Sequence, residues 1–258
     1  MLTNSLKYSV SIFIFIMEEA IKTLQNNKIS QFLLRIDIMP GIVLDFKGLA
    51  EALSVDYGSV RTELHVNYNV DMQKVEVNKE EFLTYVLGKV PDVTLRLDCF
   101  ERSIILASNH YADNSIYKDR IHKLVTILKA SNPEIAASRI GMRYINTFPC
   151  SKASEINKYL NASESNSIKE ALKRSNISRA ILVHEYQNGD YQARVQFGVP
   201  NKFYPSVITN YELVLDIDVY GVGSQPIKRW EDSIRDYNHG AYAYFVEYIK
   251  PSLLEEMR

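Results

Sequence analysis

Arg139-Ile140-Gly141-Met142-Arg143-Tyr144-Ile145-Asn146 reads as one β-strand that carries two arginines on one face with a glycine between them. Side chains alternate along a strand, so Arg139, Gly141, Arg143 and Ile145 share one face while Ile140, Met142, Tyr144 and Asn146 share the other. At about 3.3 Å per residue the two arginines stand roughly 13 Å apart, with bare backbone at Gly141 between them. The arginine face reads either as a cationic cradle or as two salt-bridged struts.

Working outward, the same alternation recurs on both sides of this strand. Ile29 to Ile38 sets Phe32, Leu34, Ile36 and Ile38 against Gln31, Arg35 and Asp37, the pattern of a half-buried strand. Glu63 to Val70 predicts another, with Leu64, Val66, Tyr68 and Val70 inward, followed by a short strand near Lys74 to Val77. Val93 to Phe100 and Ser103 to Ser108 predict a hairpin. Beyond the arginine strand, Arg179 to Gln187 and Tyr191 to Gly198 flank the turn signal Asn188-Gly189-Asp190, and Glu212 to Tyr220 supplies a further strand.

Helices are marked by a change of period. Asp45 can cap a helix through Leu53, and Asn78 with Glu81 predicts a short helix that Gly88 and Pro91 end. Tyr117, Ile121, Leu124 and Leu128 form a helical stripe closed by Pro133, and Trp230, Ile234, Tyr237, Ala241, Phe245 and Tyr248 form a longer one closed by Pro251. Weak helical signals at 154–160 and 168–174 flank Asn161 to Ser167, which reads as an exposed loop. The expected fold class is α+β, with mostly antiparallel sheets in two halves, each covered on one face by an amphipathic helix. The halves are 29–150 and 151–258, or one continuous domain, preceded by an atypical extension over 1–28.

That extension contains Val10-Ser11-Ile12-Phe13-Ile14-Phe15-Ile16, too short to span a membrane, which takes about 20 residues. It reads as an edge strand, or as sequence ahead of a natural start at Met17. Among 258 residues, 30 basic and 31 acidic side chains leave a net charge of -1, which argues against non-specific nucleic-acid binding. Cys99 and Cys150 form no CxxC motif, so a reduced, cytoplasmic protein without a cofactor is expected.

Guanidinium matches carboxylate and phosphate, and a glycine would let a ligand approach the backbone, so Arg139, Gly141 and Arg143 form the first candidate site. Arg194, Asn146, Gln192 and Gln196 join it as candidate ligand-binding residues. The competing reading pairs the arginines with acids on a neighbouring strand, for which Asp216 and Asp218 are placed. Those two carboxylates, about 7 Å apart on one face, are also weak metal candidates. Gly221-Val222-Gly223-Ser224 reads as a strand-to-helix turn, and the five histidines show no zinc spacing. Seventeen tyrosines are above average; core packing is their default reading, with any surplus rings available for an oligomer interface.

The arginine strand, taken with Ala243-Tyr244-Phe245 and the following Ile249, Leu253 and Met257, resembles a sporadically distributed family of uncharacterised bacterial proteins of about this length. The resemblance covers roughly residues 29 to 258 and implies a carboxyl-terminal helix, while the family's patchy distribution implies horizontally moved, defence-associated loci. It carries no activity over to this chain. Two functions are then expected from the residues. One is a non-enzymatic binding or assembly module whose arginine face receives an anionic small molecule or a protein, with a homo-oligomer open. The alternative is a metal-dependent enzyme acting on a nucleotide or phosphate ester, with Asp216 and Asp218 on the metal.

Overall fold

The computed structural model describes residues 26–71, 76–88, 93–109, 111, 114–174 and 176–258. The edge strand expected at Val10 to Ile16 lies outside the described residues, as does all but the last residue of Glu18 to Asn26, whose sequence has helical character. The alternating stretch forms β1 (Ile29–Ile38), with Phe32, Leu34, Ile36 and Ile38 buried. Asp45 accepts a hydrogen bond from the Gly48 amide at 3.0 Å and starts α1 (Phe46–Tyr57). A long ribbon follows, β2 (Val60–Asp71) and β3 (Glu76–Gly88), then the hairpin β4 (Val93–Asp98) and β5 (Ser103–Ser108). The Asp98 carboxylate closes that hairpin by accepting from the amides of Phe100 and Glu101 at 3.0 and 2.9 Å.

Next come α2 (Asn114–Ser131), the arginine strand β6 (Ala136–Cys150), a 3-10 helix (Ala153–Lys158) and α3 (Ala162–Leu172). The chain ends with β7 (Ala180–Asn188), β8 (Tyr191–Val199), β9 (Tyr211–Pro226), a 3-10 turn (Ile227–Arg229), α4 (Trp230–Tyr248) and α5 (Pro251–Met257).

The strands form one nine-stranded sheet in the order β2-β3-β4-β5-β1-β6-β9-β8-β7. Every neighbouring pair is antiparallel. The long β6–β9 ladder, from Ala136 opposite Pro226 to Cys150 opposite Tyr211, joins the strands on either side of residue 150. The α+β class and antiparallel pairing are as expected, but the strands of both presumed halves lie in one sheet over one continuous core.

That core lies on the helix side. There α1 packs over β3 and β4, α4 packs over β6, β9 and β8, and α2 touches both helices. Phe32, Leu34, Ile140, Val195, Phe197 and Trp230 belong to the same buried cluster. Each such side chain contributes about 1.5–3 kcal/mol by leaving water. The sheet's other face carries no helix from the described residues.

Four local expectations fail for identifiable reasons. Residues 78–87 are strand, not helix, because Phe82-Leu83-Thr84-Tyr85-Val86-Leu87 is rich in aromatic and β-branched residues and pairs with both β2 and β4. Residues 162–167 are helical, not loop, with the turn anchored by Ile168, fully buried just beyond the polar run. Asn161 does not cap that helix through its side chain, which instead donates to the Glu247 carbonyl. Gly221 to Ser224 continues β9 to Pro226 instead of turning, because β6 goes on pairing with it as far as Ala136 opposite Pro226. Leu64, Val66 and Tyr68, expected inward, are exposed by 57%, 39% and 61%, because β2 is the outermost strand and runs past the helices.

Candidate functional site

The pleat of β6 sends Arg139, Gly141 and Arg143 to the open face of the sheet and Ile140, Met142 and Tyr144 into the core. On β9 the same rule presents Asp216, Asp218 and Tyr220, and on β8 Gln192, Arg194 and Gln196. The register places Arg143 opposite Asp218, Asp218 opposite Arg194, and Arg194 opposite Glu185 on β7. One row therefore alternates in sign across four strands, the arrangement that cross-strand electrostatics favours.

The ion pairs themselves run diagonally across this row. Arg143 grips Asp216 with two donors, Nε to Oδ1 at 2.8 Å and Nη2 to Oδ2 at 2.6 Å, a bidentate fork. Arg139 donates through Nη2 to Asp218 at 3.0 Å, and its guanidinium lies 4.7 Å from the centre of the Tyr220 ring. To reach both partners the Arg139 side chain lies back across Gly141. A Cβ at that position would stand 2.9 Å from Nη1 and 3.0 Å from Nη2. The bare backbone at Gly141 thus receives the protein's own guanidinium.

Burial grades these contacts. The Asp216 side chain is 9% exposed, whereas Arg143 is 44% exposed, so the carboxylate depends on the arginine more than the reverse. The hydrogen bonds to Asp216 push the Arg143 guanidinium above its usual range against the opposing effect of burial. Burial raises the Asp218 carboxyl above its ordinary value, although Arg139 and Arg143 pull it down. Arg194 is held more loosely, 3.8 Å from Glu185 and half exposed. Further along the face, Arg35 on β1 joins the lattice through Asp37 and Glu101, both at 2.7 Å.

Asn146 does not join the arginines. Its parity points it to the helix side, where it is 2% exposed and donates to the Leu215 carbonyl at 3.2 Å. Asp216 and Asp218 are each engaged by an arginine, and among the described residues no group of three or more His, Cys, Asp or Glu side chains is placed to hold a metal ion. Cys99 and Cys150 are free thiols. No helix among the described residues is long and apolar enough to cross a membrane. Near β8 the surface has a shallow dent lined by Ile181, Gln196, Phe197, Gly198, Pro200 and Val214, with room for no more than a water molecule.

Sequence reasoning missed Tyr220, Arg35 and Glu185 as members of this face. Tyr220 shares the parity of Asp216 and Asp218, which is a usable signal; Glu185 emerges only from the β7–β8 register. A second polar cluster, on the helix side, joins His184 Nδ1 to the Tyr248 hydroxyl at 2.5 Å and the Tyr248 and Tyr186 hydroxyls at 2.6 Å. Burial, then the bond with Tyr186, pushes the Tyr248 hydroxyl far above its usual range, which suits a fixed hydrogen-bonding strut. Comparison with protein-family models and with curated proteins finds no match for this chain.

Proposed function

We propose that the chain is a non-enzymatic binding module whose open sheet face receives an acidic protein surface, with Arg143 and Arg194 as the contact cations. The carrying observation is that these two guanidiniums, on either side of Asp218 in register, remain 44% and 49% exposed on a face with no helix of the described residues over it. Two half-exposed guanidiniums spread over the face of a sheet suit the broad contact of a macromolecular surface. Arg139 serves as the brace, fixed under Tyr220 and against Asp218. The metal-dependent alternative is less well supported, since a cation at Asp216 and Asp218 would first have to displace both arginines.

The test is amide NMR with an acidic octapeptide of glutamates, alongside inorganic phosphate. Shifts confined to β6, β8 and β9 for the peptide, absent in an Arg143→Ala/Arg194→Ala variant, are the expected result. Peptide shifts elsewhere, or a variant that responds like the parent, would overturn the reading. A Mg²⁺ or Mn²⁺ titration whose signal vanishes in Asp216→Asn/Asp218→Asn would instead restore the metal-dependent one.

A further inference from the structure

The β2 edge has few of the devices by which sheets avoid pairing with other chains, its charges before Asp71 being Arg61 and Glu63. Over Val60–Asp71 it has no proline and no lysine, and its register with β3 runs unbroken without a bulge. The opposite edge is better guarded. There β7 is shorter, α3 packs against it, and His184 and Tyr186 are tied to Tyr248 beneath.

The ribbon is also under-supported. Only Thr84–Gly88 of β3 pair with β4, so among the described residues the remainder of β3 has β2 as its sole strand partner, and a two-stranded ribbon is marginal in water. One side of it exposes Leu64 (57%), Val66 (39%), Tyr68 (61%) and Leu83 (41%), with Leu64 directly opposite Leu83. The other side carries Arg61, Glu63 and His65, where Arg96 of β4 already bonds Glu63 at 2.7 Å and contacts His65 at 3.2 Å.

We infer that the partner of this edge is a second copy of the chain, joined by antiparallel β2–β2 pairing about a two-fold axis at Leu64. In that register Leu64 meets Leu64, Thr62 meets Val66 and Val60 meets Tyr68 on the apolar side. On the polar side Glu63 meets His65 twice and Arg61 meets Asn67, so no like charges are opposed. A two-fold axis normal to the sheet keeps each side's character, so the exposed apolar strips of the two copies merge between their helix layers. Each marginal ribbon becomes the inner part of a wider sheet. The self-complementarity favours a second copy over an unrelated peptide, which would have to supply this pattern itself.

The test uses the full chain. Light scattering on a sizing column should give twice the monomer mass, and a Leu64→Lys/Val66→Lys variant should give the monomer mass with an unchanged far-ultraviolet spectrum. A Leu64→Cys chain should cross-link to itself on mild oxidation, whereas a Leu49→Cys control, buried on α1, should not. A monomeric parent, or a dimer that survives the lysine substitutions and whose Leu64→Cys form does not cross-link, overturns the inference. Because this edge is separate from the arginine face, Arg143→Ala/Arg194→Ala must leave the mass unchanged.

Discussion

Asp216 is the residue on which the arginine face turns, since its carboxylate is nearly buried and both of its oxygens are satisfied by Arg143. Arg143→Ala would strand that charge, and we expect a loss of about 2 kcal/mol in urea unfolding, below the full penalty of a buried pair because the arginine is partly solvated. Adding Asp216→Asn to Arg143→Ala should recover part of that loss. Gly141→Ala would lift the Arg139 guanidinium from its seat. Its effect, of order 1 kcal/mol, should largely vanish in an Arg139→Ala background, a non-additivity that a double-mutant cycle reads directly.

Asp218 adds a pH dependence whose sign follows from its burial. Its folded-state pKa is raised, so the folded chain binds the proton more tightly than the unfolded chain. Its contribution is therefore fully present below the ordinary aspartate value, near 3.9, and is lost as pH rises through the raised folded value. The urea midpoint of the parent minus that of Asp218→Asn should fall as pH climbs from about 4.

At the scale of elements, the β7–β8 edge depends on one backbone conformation. Gly198 has φ +139°, and a Cβ there would lie 2.1 Å from the Ala180 carbonyl oxygen, which cannot yield without breaking the ladder. Gly198→Ala should therefore cost at least about 2 kcal/mol and raise amide exchange across β7 before it does so in β1. Elements with strong periodicity, such as β1 and α4, were legible because their apolar side chains are the ones that meet the core. The segment 78–87 was not. Its capping signal is local, whereas strand pairing on both sides is a property of the assembled sheet.

For the whole molecule, the β6–β9 ladder makes residues 29–150 and 151–258 parts of one sheet, and the buried cluster draws on both. Either piece alone would expose a long strand edge and half of an apolar layer. We expect neither fragment to show a cooperative urea transition by circular dichroism, and we expect equimolar mixing to restore one. Independent folding of 29–150 would contradict this.

The alternation of apolar and polar residues by itself determined the α+β class, the strands around Gly141, and the side of β6 on which each arginine stands, because pleat parity is a property of consecutive residues. It also brought Asp216 and Asp218 forward as partners. Tertiary contacts alone settle that both arginines are engaged, that the Arg139 guanidinium lies over Gly141, and that Leu64, Val66 and Tyr68 face solvent. Those outcomes depend on strand order and register, which bring together residues about 75 positions apart through contacts no local pattern encodes.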